Sequence, residues 1–184
     1  MRSPVTASAV ALYLRITLGL LFLGVGSFKL GDWRAFERAV AGFRIVPARW
    51  TFASAALIAG LEIAGGWMLV SGILFRAGVA IVALLLAGFN VGLVVNLLRG
   101  SRLLDCQCYG RGTLRIDWGQ VAQHAALIGV AVQVGVAPEA SIAGRERLLV
   151  AVSAAEGAAL FLAAQHMASV RAGLIRMLSR IEVE

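Results

Sequence analysis

The sequence predicts an all-α polytopic membrane protein, with a four-helix transmembrane bundle, a fifth transmembrane helix and amphipathic surface helices. Hydrophobic residues make up 60% of the 184-residue chain and charged residues 15%, and the mean hydropathy is +0.85. Apolar runs recur at roughly 20 residues, the length a helix needs to cross a hydrocarbon core about 30 Å thick. The connections between them are short, which leaves no room for a sizeable soluble domain.

Residues 7–30 form the first predicted span, where Gly19, Gly24 and Gly26 are spaced to let a neighbouring helix approach closely. The run is long, and no cleavage site followed by a polar chain is visible, so we expect a permanent span rather than a secretory signal. Arg15 lies inside it. A charge at that position either pairs with an acid or extends to the membrane surface.

Residues 32–45 have the pattern of a helix that lies in the membrane interface. Apolar and charged residues alternate at helical spacing: Trp33, Phe36, Val40 and Phe43, with Arg34, Glu37, Arg38 and Arg44 between them. Such a pattern is typical of an interfacial amphipathic helix. Asp32 is the expected N-cap, and Pro47 prevents the helix from continuing.

The second span, residues 51–72, carries Glu62 near its middle. An acid at that depth is a candidate functional residue, since burial of its charge is costly. Arg15 on the preceding helix lies within roughly 10 Å of the same depth, so it is one candidate partner, and a polar group of the fourth span is another. The pair would be either functional or purely structural.

The third span, residues 77–98, contains Gly88 and Gly92, a small-x-x-x-small pattern that predicts a packed helix face. Asn96 lies near its end. An amide in a bilayer tends to hydrogen-bond across helices, which mainly sets helix registry and only in part indicates function. The fourth span, residues 117–137, starts at an Asp-x-x-Gln capping box. Its His124 is a candidate proton donor or metal ligand, although a lone histidine in a helix is more often a hydrogen-bonded packing residue.

Residues 145–168 form the fifth predicted span and residues 169–182 an amphipathic tail. The net charge of +7 is distributed over such amphipathic segments, which favours membrane lipids as its partner and argues against nucleic acid. No nucleotide-binding glycine loop is visible, and we expect no cofactor.

The two cysteines, Cys106 and Cys108, lie in the polar loop between the third and fourth spans. Their spacing suits thiol–disulfide exchange with a partner, because a disulfide between residues two apart is strained and exchangeable. Arg102 and Arg111 would stabilise a thiolate and Asp105 would oppose it. The loop therefore holds the candidate catalytic pair.

Three other interpretations of the cysteine pair remain open. Two thiolates suit a soft ion such as Cu(I), which would make the pair a metal site, although the sequence otherwise predicts none. A structural disulfide or inert thiols would need no partner. A quinone-coupled oxidase is the least supported, since relaying electrons to a cofactor usually requires a second cysteine pair.

The chain resembles the MauE and DoxX-like family of redox-associated membrane proteins. The resemblance is carried by Phe22-x-x-x-Gly26-x-x-Lys29, by Glu62-x-x-Gly65, and by Asp105-Cys106-x-Cys108-Tyr109-Gly110. Gln107 and Tyr109 depart from the family's usual Cys-Gly-Cys-Phe-Gly. The resemblance implies a thioredoxin-like partner, a role in disulfide formation or maturation of exported proteins, and Lys29 as a further candidate partner for Glu62.

The side of the membrane that the cysteine loop faces is predicted differently by two arguments. Five basic residues lie on the N-terminal side, and the other twelve of the 17 lie on the side of the cysteine loop. The positive-inside rule then places the loop in the cytoplasm. Work on exported proteins would instead require it on the outer side of a bacterial inner membrane.

Overall fold

The computed structural model describes residues 4–100, 116–137 and 144–181, and in these ranges every regular element is helical. The elements are α1 (Pro4–Gly31), α2 (Trp33–Gly42), a 3₁₀ turn (Ala48–Trp50), α3 (Thr51–Ser71), α4 (Phe75–Leu98), α5 (Trp118–Val136) and α6 (Arg145–Ile181). The prediction of an all-α protein is confirmed.

In the described part of the chain, five helices are long and apolar enough to cross a membrane. Their mean hydropathies lie between 1.2 and 2.5, and their spans are Ser8–Gly31, Ala48–Ser71, Phe75–Leu98, Trp118–Val136 and Arg145–Gln165. Large apolar side chains stay exposed on their outer faces, including Leu57, Leu84 and Leu160. Such a surface suits contact with lipid rather than water. The chain is a multi-pass membrane protein.

Four helices form the core of the bundle. α1 packs on α3, α3 on α4 and α4 on α5, and α1 also contacts α5, which closes the bundle. Its centre takes one almost fully buried side chain from each helix, Leu18, Leu69, Val82 and Ala131. α6 packs on the outside of α1, through Ala154 against Leu12 and Ile16.

Glycines set the close approach of α1 and α3, as the sequence predicts. A Cβ on Gly19 would lie 2.9 Å from the carbonyl oxygen of Gly66, and a Cβ on Gly66 would lie 2.8 Å from that of Gly19. The two backbones therefore touch directly, which fixes the register between the helices.

The packed face predicted at Gly88 is wrong. A Cβ on Gly88 would meet no atom within 4 Å, because this residue lies on the exposed outer face of α4. α3 and α4 approach each other at Gly78 instead, where a Cβ would lie 3.1 Å from the Gly65 carbonyl oxygen. Gly92 is buried, but it faces Phe43 and Ile45 rather than another spanning helix.

α2 covers one end of the bundle and is shorter than the predicted 32–45. Phe36 packs with Ala55 and Ala59 of α3. Asp32 occupies the N-cap position, but its side chain makes no capping hydrogen bond. Helix α2 ends at Gly42, and Arg44 then adopts a left-handed conformation with φ of 50°.

The helix ends that flank residues 101–115 lie at this same end of the bundle. Leu93 and Leu97 of α4 pack with Ile116, and Phe43 joins them from the segment after α2. α5 begins as predicted, since Asp117 Oδ1 accepts a hydrogen bond of 3.0 Å from the Gln120 backbone N–H. α6 continues to Ile181 as one helix, while the side chains that would make residues 169–182 amphipathic lie outside the described part.

Candidate functional site

The predicted cysteine pair lies outside the described residues. So do the other candidates of the same loop, and their roles remain predictions: Arg102, Asp105, Cys106, Cys108, Tyr109, Gly110 and Arg111. What the structure describes is the bundle end to which this loop is attached, together with the remaining site candidates Lys29, Glu62, Asn96 and His124.

A buried ion pair between α1 and α3 is the centre of this end of the bundle. Lys29 Nζ donates a hydrogen bond to Glu62 Oε1, and the two side chains are 2% and 1% exposed. Of the partners considered for Glu62, the structure shows Lys29. Each charge compensates the other in a place where neither is hydrated, so the pair is held in one geometry.

Two aromatic rings complete the surroundings of the ammonium group. Lys29 Nζ lies 4.7 Å from the ring centroid of Phe36 on α2 and 4.7 Å from that of Phe89 on α4. A cation over an aromatic face is attracted by the ring quadrupole, and the attraction is strongest where water is excluded. The side chain of Lys29 thereby links α1 to α2, α3 and α4.

Neither ring is identifiable as part of the site from the sequence. The helical spacing of Phe36 indicated only the apolar face of an interfacial helix, and Phe89 lies between Gly88 and Gly92, which predicted a packed helix face. The sequence shows the apolar periodicity of each helix, but it does not show which neighbouring helix packs against that apolar face.

Arg15, the candidate partner that depth alone favoured, does not pair with Glu62. The Arg15 guanidinium lies 5.5 Å from the Phe75 ring centroid, and its Nη2 lies 3.3 Å from the position of a Cβ on Gly72. The register fixed by Gly19 brings Arg15 level with the turn after α3. That turn is ten residues from Glu62, roughly 15 Å along the helix, which the side chain does not span.

His124 of α5 faces the same interior as Glu62. It is 2% exposed, and its ring centroid lies 6.4 Å from that of Phe89. His124 and Glu62 both line a cavity of about 30 Å³ whose other walls are apolar. Glu62 Oε2 accepts no hydrogen bond from any described residue. A cavity of this volume suits one or two water molecules, so it can hydrate the second carboxylate oxygen.

Asn96 connects the end of α4 to the segment after α2. It is 2% exposed, and its Nδ2 donates to the carbonyl oxygens of Phe43 at 3.2 Å and Gly92 at 3.0 Å. This fixes α2 relative to α4 a short distance before the cysteine loop begins. Within the described ranges, no three His, Cys, Asp or Glu side chains cluster in a way that suits a metal ion.

Comparison with known proteins places the chain in a family. The family model described as methylamine utilisation protein MauE matches residues 7–137, which run from α1 to the end of α5. The chain belongs to the MauE family. The matched residues include Lys29, Glu62, Asn96, His124 and both cysteines, whereas α6 lies beyond them.

Two curated MauE proteins show how far the similarity extends. Methylamine utilization protein MauE of Paracoccus denitrificans is 31% identical over 131 residues, which are 70% of each chain. The protein of the same name from Paracoccus versutus is 33% identical over 121 residues, 64% of each chain. No solved structure matches this MauE-family chain.

Proposed function

We propose that this MauE-family protein is a thiol–disulfide redox protein of the bacterial inner membrane that acts in methylamine utilisation. Its Cys106–Cys108 pair exchanges electrons with a thioredoxin-like partner during disulfide formation or maturation of exported proteins. The observation that carries the proposal is the C-x-C pair itself, which lies inside the MauE-matched residues and between two spans that end at one face of the bundle.

The exchange needs no reagent other than the two proteins. A thiolate of the pair attacks a disulfide of the partner, which forms a mixed disulfide and releases one partner sulfur as a thiolate. The second cysteine attacks the mixed bond, forms the Cys106–Cys108 disulfide and releases the other partner thiolate. Two electrons pass to the partner, and the reverse reaction runs through the same intermediate.

In this proposal the buried groups are positioning residues. Lys29 and Glu62 hold α1, α2, α3 and α4 together at the bundle end from which the cysteine loop leaves. Asn96 holds the last turn of α4 against the segment after α2. We therefore expect Glu62→Gln to lower both the stability of the protein and its rate of thiol exchange, and no change in either would contradict a functional role for Glu62.

Trapping of the mixed disulfide tests the proposal directly. In Cys106→Ser or Cys108→Ser, one thiol remains to attack but the resolving thiol is absent, so the covalent intermediate persists. We expect at least one of these variants to accumulate an adduct with a thioredoxin-like protein that dithiothreitol releases. The double variant is the matched control and forms none.

The same preparations distinguish exchange from copper binding. Exchange predicts that the purified wild type carries no stoichiometric metal, whereas a Cu(I) site needs both thiolates together. Bound copper that is lost in each single variant, together with no adduct in either, would replace the thiol-exchange proposal with metal handling.

The physiological part is tested separately in Paracoccus denitrificans lacking its own MauE. We expect the wild-type chain, but not the double cysteine variant, to restore growth on methylamine, with growth on a different carbon source as the control. Restoration by the double variant would show that the cysteines are dispensable, and failure of the wild type would contradict the assignment to methylamine utilisation.

A further inference from the structure

A second, larger cavity lies beneath α2. Its volume is about 150 Å³, and it is lined by apolar residues and one glycine of α2, of the segment after it, and of α3 and α4, among them Phe36, Phe43, Ile45, Ile58 and Phe89. An apolar cavity of this size is large enough to hold a benzene ring. Its chemistry therefore suits a segment of hydrocarbon chain.

Two arginines stand at the rim of this cavity. Arg44 lies between the lining residues Phe43 and Ile45, and Arg99 Nη1 donates a hydrogen bond of 3.5 Å to the Arg44 carbonyl oxygen. Both side chains are exposed, and neither forms an ion pair with a described acid. Two exposed arginines at one edge of an apolar cavity, neither paired with an acid in the described part of the chain, suit the binding of an anion there.

The backbone at this rim is held in an unusual conformation. Arg44 has φ of 50°, a region that a residue with a long side chain rarely adopts. Asn96 and Arg99 hold the segment by hydrogen bonds to the Phe43 and Arg44 carbonyl oxygens. Such conformations persist where the surroundings fix them, and they concentrate at ligand sites.

We propose that this cavity and its rim form a binding site for one anionic phospholipid. An acyl chain occupies the apolar cavity beneath α2, and Arg44 and Arg99 bind the phosphate and the net negative charge of the headgroup. An arginine near an anionic lipid surface contributes roughly fivefold in affinity, so the pair accounts for a preference of tenfold or more over zwitterionic lipid. The site is independent of the proposed thiol chemistry, and the double cysteine variant should bind the lipid as the wild type does.

Native mass spectrometry of the protein from micelles with equimolar phosphatidylglycerol and phosphatidylcholine measures the preference. We expect the wild type to retain one phosphatidylglycerol at least tenfold over phosphatidylcholine. Arg44→Gln with Arg99→Gln should abolish this preference, whereas Arg145→Gln with Arg147→Gln, an exposed pair at the start of α6, should preserve it.

A second pair of variants tests the acyl-chain site. A Cβ on Gly92 would lie 3.4 Å from Phe43 and 3.5 Å from Ile45, so Gly92→Leu fills the cavity, whereas Gly88→Leu on the same helix adds a side chain where nothing lies within 4 Å. We expect Gly92→Leu to lose the retained lipid and Gly88→Leu to keep it, both with wild-type helical circular dichroism. Two results would overturn the proposal: equal retention of the two lipids by the wild type, or an unchanged preference in the double variant Arg44→Gln with Arg99→Gln. Both results can be obtained even if Gly92→Leu does not fold.

Discussion

Removal of one member of the Lys29–Glu62 pair should destabilise the protein far more than removal of both. Lys29→Met leaves a buried carboxylate whose Oε2 already accepts no hydrogen bond from a described residue. Glu62→Leu leaves an ammonium that still faces the rings of Phe36 and Phe89. The double variant buries two apolar side chains of similar volume and leaves no charge behind.

The size of these effects follows from the usual cost of breaking a buried ion pair, and the contacts of each charge set their order. Breaking a buried ion pair by removing one partner costs about 3–5 kcal/mol, and replacing both partners with apolar residues is often neutral or stabilising. We expect Glu62→Leu near the lower end of that range. Lys29→Met should lie near the upper end, because it leaves a buried carboxylate without a described hydrogen-bond donor, whereas the ammonium left by Glu62→Leu keeps two cation–π contacts, each worth about 1–2 kcal/mol.

Equilibrium unfolding in mixed micelles, followed by circular dichroism, measures the four corners of this double-mutant cycle. Single costs of about 3 and about 5 kcal/mol, with the double variant close to the wild type, correspond to a coupling energy of about 8 kcal/mol. Glu146→Gln, which changes an exposed acid at the start of α6, is the control and should stay within about 0.5 kcal/mol. Additive single effects, or single effects below about 1 kcal/mol, would refute a structural ion pair at this position.

Three further predictions concern packing, capping and topology. Gly66→Ala should lower the free energy of unfolding by about 1–3 kcal/mol, since its Cβ would lie 2.8 Å from a carbonyl oxygen of α1. Gly60→Ala is the control in the same unfolding assay and should not destabilise the protein, because a Cβ on Gly60 would meet no atom within 4 Å. Asp117→Ala removes the α5 cap and should lower the free energy of unfolding by about 1 kcal/mol. An impermeant maleimide applied to intact cells reports which thiols face the outside. The native thiols should share the accessibility of Arg49→Cys, which lies on the same side of the membrane, and differ from that of Glu146→Cys, which lies on the opposite side. Native thiols that share the accessibility of Glu146→Cys would contradict the helix order.

The candidate site shows where prediction from sequence stops. Glu62 was identifiable because an acid in the middle of an apolar run is costly unless a partner compensates it. Its partner was not identifiable from depth, which pointed to Arg15. The choice between Arg15 and Lys29 depends on the register of α1 against α3, and direct backbone contact at Gly19 and Gly66 sets that register.

The sequence by itself determined the elements of this protein. Run length and hydropathy are properties of a segment alone, so the five spans, the amphipathic α2 and the start of α5 at Asp117 were all predictable. The tertiary structure alone decided which side chains meet: the ammonium group of Lys29 between Phe36, Phe89 and Glu62, and the apolar cavity beneath α2. Helical periodicity gives the faces of each helix, whereas the rotation and register of one helix against the next come from packing contacts between residues distant in the chain.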